Sequence, residues 1–79
     1  MTRVWVDFNS LDGEGLYPTL QKFASSPVSI GERVVAFDYD GNEAAALVAA
    51  VDGGVVRLQV DLGTFREALQ LVETSRPNS

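Results

Sequence analysis

The apolar positions of this chain fall in short runs with a period of two. In residues 3–8, Val4, Val6 and Phe8 alternate with Arg3, Trp5 and Asp7, the spacing of a strand that buries one face. Residues 55–61 repeat the pattern, with Val56, Leu58 and Val60 set against Val55, Arg57, Gln59 and Asp61. Two further runs are apolar on both sides. Val34 and Ala36 oppose Val35, Phe37 and Tyr39, while Ala46, Val48 and Ala50 oppose Ala45, Leu47, Ala49 and Val51. A strand of that kind expects cover on both faces. The alanines of 44–50 are assigned to a strand despite their helix preference, because the flanking turns leave no room for a longer element.

Glycine punctuates these runs. Asp40-Gly41 (or Gly41-Asn42) and Asp52-Gly53-Gly54 separate three strands with residues that tolerate positive φ, so residues 31–63 read as two consecutive antiparallel hairpins. Residues 9–31 are rich in breakers. Within them Leu16, Leu20, Phe23 and Ala24 recur at helical spacing with Pro18 suited to a first turn, which predicts about one helical turn. At the other end, Thr64 followed three residues on by Glu67 forms a capping box. It predicts a helix over 65–73 whose apolar stripe is Phe65, Ala68, Leu69 and Val72. Residues 1–74 read as one domain and 75–79 as a flexible tail.

The segment 31–64 resembles the Tudor class of SH3-like small barrels. The resemblance rests on Gly31, Glu32, Val34 and Ala36, then the Asp40-Gly41 turn, then Ala46, Val48 and Val51, then Gly54, Val56 and Val60, and a closing Asp61 and Gly63. It implies a mainly β fold, an antiparallel barrel of four to five strands, here followed by the carboxy-terminal helix. Tudor domains that read methylated side chains hold the cation among several ring faces. Aligned on the glycines, the cage positions fall on or next to Asp38, Ala44 and Leu62, none of them aromatic. The resemblance therefore implies the barrel without the methyl-reading cage.

Composition narrows the chemistry. With no cysteine and no histidine the chain lacks disulfides, thiolate or imidazole metal ligands, and the usual nucleophile and acid-base groups of enzymes. Asp7, Asp38 and Asp61 could supply a carboxylate pair only if two of them met. Asp38, Asp40 and Asn42 open like a calcium loop, but the glycine stands fourth rather than sixth and Ala49 occupies the place of the bidentate glutamate. Asp12-Gly13-Glu14-Gly15 lacks the third glycine of a nucleotide loop, and Ser25 and Ser26 have no base beside them. A non-enzyme without metal or cofactor is expected. The net charge of −5, with basic residues scattered, disfavours DNA, RNA and anionic lipid as partners. No run reaches the length of a membrane span, so a cytoplasmic protein is expected.

What remains is recognition of protein. Trp5 stands on the wet side of its strand, where an indole gains by being covered. The cover is either Phe65 and Leu69 of the predicted helix or a ligand or subunit. The second faces of 34–39 and 44–51 add Phe37, Tyr39 and Leu47. These four residues, Trp5, Phe37, Tyr39 and Leu47, form the expected interaction face of a protein-binding module or accessory subunit, whose partner is another protein or a second copy. An acidic inhibitor or antitoxin-like protein that neutralises a basic partner is the alternative, and a nucleic-acid-binding barrel comes third.

Overall fold

The structure is a computed structural model and describes residues 1–66. Five strands form a single curled sheet: β1 (Arg3–Trp5), β2 (Tyr17–Leu20), β3 (Arg33–Phe37), β4 (Glu43–Asp52) and β5 (Val55–Val60), in the spatial order β1-β3-β4-β5-β2. The two predicted hairpins are present, with β3 antiparallel to β4 and β4 antiparallel to β5. Their turns place Gly41 at φ 91° and Gly53 at φ 64°, conformations that side chains resist. The result is mainly β, a half-barrel, which bears out the expected small barrel at that level.

Three expectations are corrected. The sheet is mixed rather than antiparallel, because β1 runs parallel to β3 with Trp5 opposite Phe37. Parallel neighbours need a long connection, and residues 6–32 supply one. Part of that connection is β2, where a helical turn was expected. Tyr17–Leu20 is an edge strand on β5, and only Gln21–Phe23 makes a turn, of 3-10 type. Pro18 has no N–H to give a ladder and is tolerated at an edge. The predicted helix over 65–73 does not begin where the capping box places it. Leu62–Thr64 is a 3-10 turn, Phe65 is extended, and Arg66 exchanges backbone hydrogen bonds of 2.7 and 2.9 Å with Glu43. The Thr64 hydroxyl accepts from the Ala45 N–H at 2.8 Å and donates to the Asp61 carbonyl at 2.7 Å, which ties this turn to β4. Residues 67–73 lie outside the described residues, as does the tail.

The inner face holds Val4, Val6, Tyr17, Val28, Val34, Ala36, Ala46, Val48, Val56 and Leu58. Small inward residues let so short a sheet curl tightly. Between Val48 and Ala50 the β4 register shifts, and beyond this bulge Val51 packs against the core rather than on the outer side where strict alternation puts it. The sheet curls far enough that its two edge strands touch. On β1, the Thr2 carbonyl and the Val6 N–H bond to β3, whereas the groups of Arg3 and Trp5 serve the other edge. There Arg3 exchanges hydrogen bonds with Ser25, whose N–H donates to the Arg3 carbonyl at 2.8 Å and whose hydroxyl accepts from the Arg3 N–H at 3.0 Å. The Thr19 hydroxyl of β2 donates to the Trp5 carbonyl at 2.5 Å. An isolated bridge between Val4 and Ala24 completes the seam.

One loop gives a pH-dependent expectation. The Asp12 carboxylate accepts from the N–H groups of Leu16 and Glu14 at 2.9 and 2.8 Å. The bond from Leu16 above all, with those from Glu14 and Gly15 and the nearby Arg57, holds its pKa below the usual 3.8 against the opposing effect of burial. A depressed carboxylate stabilises the fold above its unfolded value, and that contribution is lost as pH falls through the folded value. An NMR titration should give an Asp12 midpoint below 3.8, with the Leu16 amide proton following the same curve. A midpoint at or above that value would count against the loop geometry. Among the described residues no helix is long and apolar enough to cross a membrane.

Candidate interaction surface

Because β1 and β3 are in parallel register with Trp5 beside Phe37, both side chains emerge on the outer side of the sheet, away from the core. Tyr39 follows two residues after Phe37, and its ring lies 6.0 Å from Phe37 and 6.1 Å from Trp5. On the other flank Phe23, from the 3-10 turn after β2, meets Trp5 edge-on at 5.2 Å. The rings thus form a continuous strip. Trp5 and Phe37 are half-buried, Phe23 is exposed, and Tyr39 is 85% exposed.

Two cations border the strip. The Arg3 guanidinium lies 4.8 Å from the Phe37 centroid and pairs with Glu43 at 3.4 Å, and the Lys22 ammonium lies 5.6 Å from the Phe23 centroid. Tyr39 is held out by a tightly bonded turn. The Asp38 carboxylate accepts from the N–H groups of Asp40 and Asn42 at 2.9 and 3.0 Å, and from the Asn42 side-chain amide at 2.8 Å. Asp38 therefore acts as the keystone of its own turn, the common use of aspartate at such a place.

The structure brings together three of the four expected site residues. Leu47 is on the same outer side but stands opposite Arg33, four residues along β3 from Phe37 and so about 13 Å away. It lines a separate open trough of about 680 Å³ with Met1, Arg33, Ala45, Gln59 and Leu62. Phe23, Arg3 and Lys22 complete the strip and were not anticipated. The sequence signal for Phe23, its spacing from Leu16 and Leu20, pointed to a buried helical face instead.

The expected cover for Trp5 is also corrected. Phe65 packs edge-on against Phe8 at 5.1 Å, while Trp5 touches Phe23 and Tyr39. Leu69 lies outside the described residues. Asp7, Asp38 and Asp61 do not converge, since each carboxylate binds N–H groups of its own turn, Asp7 from Asn9 and Asp61 from Gly63. Ser25 and Ser26 hydrogen-bond to Arg3 and Thr2, structural partners on the seam. The strip and its bordering charges define a small β domain with an aromatic outer face. Searches of family models, curated proteins and solved structures return no match to this chain.

Proposed function

We propose that this domain is a non-enzymatic protein-interaction module or accessory subunit, and that it docks through Trp5, Phe37 and Tyr39, extended by Phe23. The observation that carries the reading is Tyr39. A ring 85% exposed at the end of a fully bonded turn gains little for the isolated fold. Covering such a ring is worth about 2 kcal/mol, and aromatic anchors dominate binding where they are buried at the centre of an interface. Arg3 and Lys22 at the border would repel a basic partner, so this face lends no support to the acidic-inhibitor alternative.

The test is a photo-cross-linking residue placed at Tyr39 and, as control, at exposed Glu14, with the full chain expressed in its native host. A discrete protein adduct from position 39 and none from position 14 is the expected result. It should fall at least tenfold when Trp5→Ala is added, since removing a central anchor commonly costs 2 kcal/mol or more. Equal adducts from both positions, or none from either, would overturn the docking reading.

A further inference from the structure

The strip is not uniform along its length. Lys22 stands at one end, over Phe23, and at the other Tyr39 is followed directly by exposed Asp40. Trp5 lies between, 5.2 Å from Phe23 and 6.1 Å from Tyr39. Among the described residues the ion pair formed is Arg3–Glu43, so neither the Lys22 ammonium nor the Asp40 carboxylate has an opposite charge within pairing distance. Asp40 uses only its backbone N–H, on Asp38. The sequence cation–ring–ring–ring–anion has a geometric consequence. Turned by a two-fold axis through its middle, it faces its own complement, which is the condition for an isologous interface.

We propose that the occupant of the strip is a second copy of this chain, related by a two-fold axis near Trp5. Phe23, Trp5 and Tyr39 of one copy lie antiparallel on those of the other, and Lys22 of each faces Asp40 of its partner. The inference rests on the docking reading above and names its partner. Other proteins would need both charges at this separation, whereas a second copy carries them by construction. The net charge of −5 on each copy opposes association at long range, so ring contact must hold the pair and the two local ion pairs must set its register.

Sedimentation equilibrium of the full chain over roughly 10 to 200 µM tests this, since self-association must follow mass action. Wild type should move from monomer to dimer across that range. Lys22→Glu and Asp40→Lys, both surface changes whose folding is checked by circular dichroism, should each raise the dimer Kd at least tenfold, because each sets like charges together twice. An equimolar mixture of the two variants should regain wild-type affinity, since every pair is then opposite in sign. A wild type that stays monomeric, or a mixture no tighter than either variant alone, would overturn self-association. A monomeric wild type that still gives an adduct to a different protein from position 39 would leave the docking reading standing. Loss of both results would remove the two together.

Discussion

Leu58→Ala is expected to destabilise the domain by about 3 kcal/mol, the usual cost of truncating a buried leucine whose surroundings collapse only in part. Leu58 is fully buried on β5, opposite Val48 of β4 on one side and Tyr17 of β2 on the other, so the same side chain packs both halves of the curl. The other fully buried residues are valines and alanines, which cannot reach into the space it leaves. A fold of this size has a total stability of about 3 to 10 kcal/mol, so the loss is a large share of it. Urea unfolding followed by Trp5 fluorescence should show a lower midpoint at similar slope. Leu58→Met, which conserves volume, should cost less than about 1.5 kcal/mol. Equal effects from the two variants would show that Leu58 is not the centre of the core.

The fold was legible where local pattern and tertiary demand coincide. The β3–β4–β5 meander announces itself because its strands alternate and its turns need glycine, and both signals lie within a few residues of each other. β2 did not announce itself. Four residues that include Pro18 have no strand signature, and their partner β5 lies nearly forty residues away, so only the closing of the sheet makes them a strand. The parallel pairing of β1 was hidden for a related reason, since a period of two reports which face is buried and nothing about direction or neighbour. At Thr64 the local signal was present and lost. A hydroxyl suited to cap a helix is engaged by the Ala45 N–H of β4, and Phe65 packs on Phe8.

The same division explains the site. Alternation put Trp5, Phe37 and Tyr39 on the outer side, and the register of β1 against β3 brings them together. Leu47 shares that side by the same alternation but stands four residues further along, and position along a sheet is set by register, which the sequence pattern does not state. Phe23 was missed because its place beside Trp5 follows from the approach of the two sheet edges.

That approach depends on Thr19, and Thr19→Val is expected to cost about 1 to 3 kcal/mol, although valine nearly matches threonine in shape. Thr19 is buried, and its hydroxyl donates to the carbonyl of Trp5 across the seam between the edge strands. Valine keeps the packing against the core but leaves that carbonyl without its donor, and a polar group stranded in this way bears its full desolvation cost. Thr19→Ser restores the donor at the expense of one methyl and should recover most of the hydrogen-bond contribution. The damage should also be local. Amide hydrogen exchange at Ser25, whose N–H closes the same seam onto Arg3, should accelerate in the valine variant more than exchange in the β4–β5 hairpin. Because Trp5 lies at the centre of the aromatic strip, the valine variant should weaken docking while every exposed ring remains in place. Equal stability and equal Ser25 exchange in the serine and valine variants would show that the hydroxyl does not hold the seam.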